Sequence, residues 1–467
     1  MSSSTFENTM DSVSEVLSQW AMNLICSEIP AAVQHAASRH LLDGVGLAIA
    51  AHRLKAATAA CTVARTLTSN LGVRMIGGAE QLAVSGAALA NGVLVHALDF
   101  DDTHSRGLVH ATAVTLPAAF AVGQSRQSSG SEVLAASIVG YETVCRVAAA
   151  SPHGFHARGL HGTSVSGTLA AALVTSRLQN ASAKIASNAL GIAGSVSGGL
   201  LEFLDTGSDT KTLHPGLASM NGVIAAQLAA AGGQGPNTVL EGKRGLYAAL
   251  SARSADPGFV IAGLGESWET SQISIKPIPA CQLLHVTLDA AKGSSIPVDE
   301  IVRIEAVVHP DSAAVVCEPR DRKNSPRTPY DAKFSLPWSL AAQLIDGGVT
   351  IDTYPAKFVE RPDVIRLAEL VEITLGPAEG IAAEAAGLVR IHSRNGSVWE
   401  GAVSGSLGTL AHPVSDDFLI AKFRANCGGS PLVEELIDLT LNLALQPNLD
   451  RVHDLASSIV IKEAQPA

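Results

Sequence analysis

The chain has 467 residues, 47% apolar, 16% charged and only 4% aromatic, with a net charge of −11. That length implies two domains rather than one compact core, and the apolar share is enough to bury a large interior. The acidic balance excludes a nucleic-acid binder and means that an anionic ligand needs a local basic site.

The first half reads as helix after helix. Residues Ser12 to Ile25 carry Val13, Val16, Leu17, Trp20 and Leu24 at helical spacing. Ile29 to Ala51, Gly130 to Ala149, Ser164 to Leu178, Ala183 to Leu201, Asn221 to Ala231 and Leu246 to Ala252 continue the series. The turn-rich stretches SSGSE, SPHGF, DTGSD and GGQGPN separate them. The pattern then changes. Gln272 to Ile278 alternates as a strand, and Ile301 to His309 is a strong strand signal. Leu370 to Leu375 and Leu388 to His392 follow, and Arg394-Asn395-Gly396 predicts a hairpin into Ser397 to Val403. Gln282 to Ala291 and Phe334 to Ile345 are helices between these strands. After Leu410 helices return, over Asp416 to Asn426, Pro431 to Leu443 and Asn448 to Ile459. We therefore expect a mainly α protein with a discontinuous all-helical domain over residues 1–264 and 406–467. An α+β domain over 265–405 is inserted into it.

No apolar run reaches the roughly 18 residues that a membrane span needs. The stretch GVGLAIAAH is too short, and Pro117 breaks ATAVTLPAAFAVG. The N-terminus is acidic and does not read as a signal or transit peptide. Six scattered cysteines, none in a CxxC pair, read as reduced thiols in a cytoplasmic protein.

The segment His96 to Thr112 concentrates the chemistry. Asp99, Asp101, Asp102, His96, His104 and His110 lie within fifteen residues, between apolar flanks. Acid and base groups at the mouth of a buried pocket have such a setting, because apolar surroundings shift pKa values into a catalytic range. Asp99 and Thr103, four apart, would share one face of a helical turn. Asp101 and Asp102 either join the site or cap a helix and face solvent.

The run HALDFDDTH resembles the MmgE/PrpD family, which includes 2-methylcitrate dehydratase, cis-aconitate decarboxylase and iminodisuccinate epimerase. Four further segments carry the resemblance in order. They are Gly159-Leu160-His161-Gly162-Thr163 with Gly167, Lys211-Thr212-Leu213-His214-Pro215-Gly216 with Asn221-Gly222, Lys276 to Cys281 ending at His285, and Ala332-Lys333-Phe334-Ser335-Leu336. The resemblance implies a large helical domain, a smaller α+β lid, a homodimer and an active site between the domains. Two departures fall where the pocket is expected: Trp338 stands where a tyrosine is common in relatives, and Ser219-Met220 replace a longer alanine–arginine stretch.

The family's reactions make or break a bond beside a carboxylate, which needs a base, an acid and fixed positive charge. The resemblance assigns His161, assisted by Asp99 and His110, to proton transfer. It assigns Lys211, Lys276, Thr103 and His104 to a small polycarboxylate substrate. Lys211 falls in a loop between two apolar helices, where a lysine is otherwise a solvated surface residue. Lys276 stands in an apolar strand and would otherwise point outward. Arg106 reads as a rim residue and His285 as structural. Asp102, His104 and His110, or His153, His156 and His161, have metal-ligand chemistry but no specific ligand spacing. The resemblance points to chemistry without metal or cofactor. Gly44-Val45-Gly46 lacks the third glycine of a dinucleotide site, and neither a P-loop nor a GxSxG elbow occurs. The reading is a cofactor-independent lyase, a dehydratase or decarboxylase. Its alternatives are an epimerase of an amino- or imino-dicarboxylate and a non-catalytic relative.

Overall fold

The computed structural model describes residues 11–69 and 72–463. Several of its helices begin where side chains satisfy free N–H groups of the first turn. In α1 (Val13–Asn23) Ser12 and Glu15 form a reciprocal capping box. Serine 129 and Glu132 repeat it at the α6 start given below. Chain order then runs α2 (Ala31–Arg53), α3 (Thr58–Thr66), α4 (Val84–His96), β1 (Thr103–His104), α5 (Thr112–Arg126), α6 (Gly130–Ala149), α7 (Gly162–Leu178), α8 (Ala183–Ser195) and α9 (Thr210–Ala230).

Small side chains let these helices approach closely. The clearest case is α4 against α9. A Cβ added at Gly92 would lie 2.6 Å from the Gly216 backbone, and one at Gly216 would lie 2.4 Å from the Leu89 carbonyl oxygen. Only glycine fits on both sides of that crossing, and the crossing sets the end of α4 beside the start of α9.

The second half opens with β2 (Ile273–Ser274), which pairs antiparallel with β1, Thr103 opposite Ser274 and His104 opposite Ile273. After α10 (Gln282–Ala291) come β3 (Ile301–Val308), α11 (Pro310–Val316), α12 (Leu336–Asp346), β4 (Val371–Leu375), β5 (Gly387–Ser393) and β6 (Val398–Val403). The sheet order is β4-β3-β5-β6, with β3 and β4 parallel and the other pairs antiparallel. Burial alternates along β5, so one face of the sheet is covered, with α10 packed against β5 and β6. Then α13 (Asp416–Cys427), α14 (Val433–Leu441) and α15 (Asp450–Glu463) complete the chain.

Two apolar cores result. One gathers α1 to α9 and draws in Leu419, Phe423, Leu436 and Ile459 from the last three helices. The other holds residues of α10 to α12 and of the four-stranded sheet, together with Phe203. Mainly helical architecture with a small sheet is as expected from the sequence. Among the described residues no helix is long and apolar enough to cross a membrane.

Several sequence expectations need correction. The helix read from Asn221 begins at Thr210, so Lys211 lies in its first turn and not in a loop. Pro215 and Gly216 suggested a break, but Pro215 lies inside the helix and costs it one i→i−4 hydrogen bond without ending it. The strand read over Gln272 to Ile278 shrinks to two paired residues. The helix from Ala183 ends at Ser195, six residues early. Trp338 does not reach a pocket. It is fully buried in the second core, with its ring 5.7 Å from Tyr354 and its Nε1 donating to the Val359 carbonyl. Ser219 is equally buried, donating to the Val114 carbonyl.

Candidate active site

The β1–β2 pairing explains how distant residues meet. Ser274 is held beside Thr103, so Lys276, two residues on, arrives next to the turn that follows α4. That turn carries Asp99 in a left-handed conformation with φ of 51°. Asp99 and Thr103 therefore do not share a helical face; one is in a turn and the other in β1. The α4–α9 crossing brings Lys211 to the same point from the other side.

Asp99 is the hub. It is fully buried, and Lys276 Nζ donates to its Oδ1 at 2.6 Å and to its backbone carbonyl at 3.2 Å. Lys211 Nζ lies 3.3 Å and 3.2 Å from its two carboxylate oxygens and 4.9 Å from the centre of the Phe334 ring. Burial opposes ionisation of Asp99. Lys211 and Lys276 outweigh it and hold the carboxyl well below its usual range. Burial likewise works against the Lys276 ammonium, but Asp99 and Asp101 keep its pKa above the ordinary value. Lys276 is wholly enclosed and does not point outward from a strand.

Imidazoles crowd the other side of this group. The ring centres of His96 and His110 are 4.7 Å apart, and His161 lies 5.9 Å and 6.0 Å from them. His161 stands at the N-cap of α7 and contacts the His214 Nδ1 through its own Nδ1 at 3.2 Å. His110 Nδ1 faces the Asp102 carbonyl at 2.8 Å. A carbonyl only accepts, so the ring proton is assigned to Nδ1 and the lone pair to Nε2. His96 Nδ1 meets Asp101 Oδ2 at 2.8 Å, leaving His96 Nε2 buried without a protein partner. Burial, then the charges of Lys276 and Lys211, push His110 well below its ordinary pKa. Burial and Lys211 do the same to His161. Burial with His96 and Lys211 lowers His214 to about 4, and burial with His153 lowers His156 to about 3. His110 and His161 are thus neutral at physiological pH and present lone pairs, the form a general base requires.

A cavity of about 270 Å³ opens onto this group. Asp99, Thr103, His110, His161, Lys211 and Lys276 all line it. His104, expected to touch substrate, does not. Its Nε2 pairs with Glu269 at 2.8 Å and its Nδ1 accepts from the Gly107 N–H, so it braces the turn behind the site. Asp101 and Asp102 are buried, not solvated. Asp102 accepts from the Thr112 N–H at the start of α5 and pairs with His40 at 3.1 Å, a structural role. His285 is buried against the Ala280 carbonyl, and Arg106 lies over the Phe259 ring at 4.0 Å.

Neither metal triad read from the sequence assembles. The close sets are His96, His110, His161 and Asp99, Asp101, His110, with ligand atoms within 4.8 Å of one another in each. Lys211 and Lys276 place positive charge beside both, which opposes a cation there. Residues to which the sequence reading gave no substrate or proton-transfer role also meet the site. Phe334 and Cys281 line the cavity, as does His156, weighed there only as a metal ligand. His214 was signalled by its position three residues after Lys211, one turn along the same helix face.

The MmgE/PrpD N-terminal domain model matches residues 15–257 and the MmgE/PrpD C-terminal domain model matches residues 277–443. The chain belongs to the MmgE/PrpD family. A cis-aconitate decarboxylase of Aspergillus terreus is 27% identical over 479 residues, covering 96% of this chain and 95% of that one. A human protein of the same name is 28% identical over 424 residues, covering 87% and 86%. A mouse one is 28% identical over 358 residues, covering 73% and 71%. The last part of the matched C-terminal region, from Val414 to Leu443, packs into the first core of this MmgE/PrpD member.

Proposed function

We propose that this protein is a cofactor-independent lyase that removes CO₂ or water from a small polycarboxylate. The observation that carries the reading is one carboxylate, Asp99, shared by two buried ammonium groups in a cavity that neutral imidazoles also face. Two cations on one carboxylate leave positive charge unspent, and a substrate carboxylate would take it up. Thr103, on the same wall, would donate its hydroxyl to that group. Losing CO₂ or a proton beside a carboxylate builds charge on its oxygens, where Lys211 and Lys276 would stabilise it. His161 and His110 would move the proton, one as base and the other as acid once the substrate's charge offsets the two lysines. The three relatives' names and the family support a lyase of this type. Residues 265–405 would serve as the lid, since Lys276 and Cys281 complete the cavity from that side.

The test is turnover of a panel of di- and tricarboxylates by wild type and His161→Ala. The variant should lose about 10²- to 10⁴-fold in kcat on whichever acid the wild type converts. Unchanged turnover removes His161 from the chemistry. Two imidazoles on one cavity also suit an epimerase. Solvent deuterium entering the α-carbon without loss of water or CO₂ would select that reading.

We also infer a homodimer. Leu213, Leu217, Met220, Ile224 and Leu228 fall three or four residues apart along α9, and Leu217, Ile224 and Leu228 are 40%, 38% and 50% exposed. Such a stripe suits the same stripe on a second copy. Sedimentation of a Leu217→Glu, Ile224→Glu variant should give a monomer; wild-type behaviour would reject this face.

A further inference from the structure

The charge that the cavity holds, set against its apolar lining, limits the substrate further than the reaction class does. This step rests on the lyase reading for the location of the site but not for its chemistry. Five charged residues line the cavity, the basic Lys211, Lys276 and Arg253 and the acidic Asp99 and Asp311. Arg253 and Asp311 are both exposed, so they belong to the mouth and offset one another. Inside, two lysines share Asp99, which leaves a formal charge of one. The lining histidines add none, because burial holds His110, His153, His156 and His161 below their ordinary pKa. Most of the remaining wall is hydrocarbon, including Leu108, Leu201, Leu204, Leu283, Val315 and Ala382, with Thr103, Gln282 and Cys281 as its polar side chains.

A tricarboxylate such as cis-aconitate carries three negative charges. One would meet the lysines, and a second could stay at the solvent-exposed mouth, where Arg253 and Asp311 lie. The third would be pressed against leucine and valine, and an unpaired carboxylate in such a setting is strongly disfavoured. We propose that the substrate carries at most two carboxylates and an alkyl arm, with one carboxylate at Lys211, Lys276 and Thr103 and the arm against Leu201, Leu204, Leu283 and Val315. Specificity would come from the leucine wall, which rewards each added methylene and rejects a third charge.

Calorimetric binding to the full-length protein tests this. The ligands are succinate, 2-methylsuccinate, 2-propylsuccinate and 2-pentylsuccinate, with tricarballylate and cis-aconitate as the triply charged arm. Affinity should rise about threefold to fourfold per methylene until the cavity is full. Tricarballylate should bind at least about tenfold more weakly than 2-propylsuccinate, a difference of about 1.4 kcal/mol. Val315 lies part-exposed on the short helix α11, so Val315→Arg places a cation on the wall without opening a core. That variant should narrow the preference by tenfold or invert it. Equal or tighter binding of either tricarboxylate to the wild type overturns the proposal, as does a preference that Val315→Arg leaves unchanged. Tight tricarboxylate binding with turnover would sink this inference and leave the lyase intact. Chain-length-dependent binding without turnover of any acid would do the reverse. If no carboxylate binds, both fall.

Discussion

Asp99 should be the most costly single charge to remove. Asp99→Asn strands two ammonium groups at once, Lys276 with no exposure and Lys211 at 6%. Breaking a buried pair by removing one partner costs about 3–5 kcal/mol, and little solvent is present here to screen it. Lys276→Met is a milder change despite removing the shorter contact, because Asp99 keeps Lys211 at 3.2 Å. We expect that variant to lose about 1.5–3 kcal/mol, comparable with one charge-assisted hydrogen bond. The double variant removes the stranded Lys276 as well and should recover part of the Asp99→Asn loss. Urea unfolding of the three variants measures these differences through midpoint and slope. The folded carboxyl lies below its unfolded pKa, so its contribution is complete above about pH 4 and is lost only as pH falls through the folded value. The gap between wild type and Asp99→Asn should therefore stay constant from pH 7 to pH 5. The reasoning fails if Lys276→Met costs as much as Asp99→Asn, or if Asp99→Asn costs under about 1 kcal/mol.

Two further outcomes are expected. Lys333 Nζ donates to the Leu98 and Pro279 carbonyls at 2.7 Å each, tying the Asp99 turn to the second half of the chain, and burial lowers its pKa to about 7. Between that value and the unfolded value near 10.4 the unfolded chain binds the extra proton, so stability from this group rises with pH. Denaturation midpoints measured from pH 7.5 to 10 should climb less steeply in Lys333→Met than in wild type; parallel curves would contradict the assignment. Lys211→Met should raise the pKa values of His161 and His110, because Lys211 helps to lower both. Histidine titrations followed by NMR read this directly, and unmoved values would place Lys211 too far away to act on the rings.

Much of the helical architecture was legible in the sequence because its signals are local. Gly130–Ala149 begins after the Ser129–Glu132 capping box, and both its ends were readable. The helix Gln282–Ala291 and the hairpin through Gly396, whose φ is 87°, were equally plain. The start of α9 was hidden because Pro215-Gly216 looks like a stop, while the reason for Gly216 is the neighbouring helix, which no local pattern records. Lys211, Lys276, His161, Asp99, Thr103 and His110 were nameable from motifs, and all six line the cavity. His104 was misjudged because its partner, Glu269, is 165 residues away. The leucine wall was not legible at all. Leu108, Leu201, Leu283 and Val315 come from four separate stretches, each unremarkable as an apolar residue until folding sets them around one space.

On the proposed reading, the same electrostatics that gather the site would also hold its base in working form. An imidazole beside an isolated carboxylate would be drawn toward the charged state and lose its lone pair. Here two lysines take up Asp99, so the nearest net charge felt by His110 and His161 is positive and the rings stay neutral. A substrate carboxylate entering beside Lys211 and Lys276 would cancel that excess. The imidazole basicity would then rise only when substrate is present, and the proton taken from carbon would find a more willing acceptor. On that reading the buried lysine pair would couple anion binding to base strength. Weakening it should reduce proton transfer as well as affinity, an effect on kcat and KM together that a purely anchoring lysine would not produce.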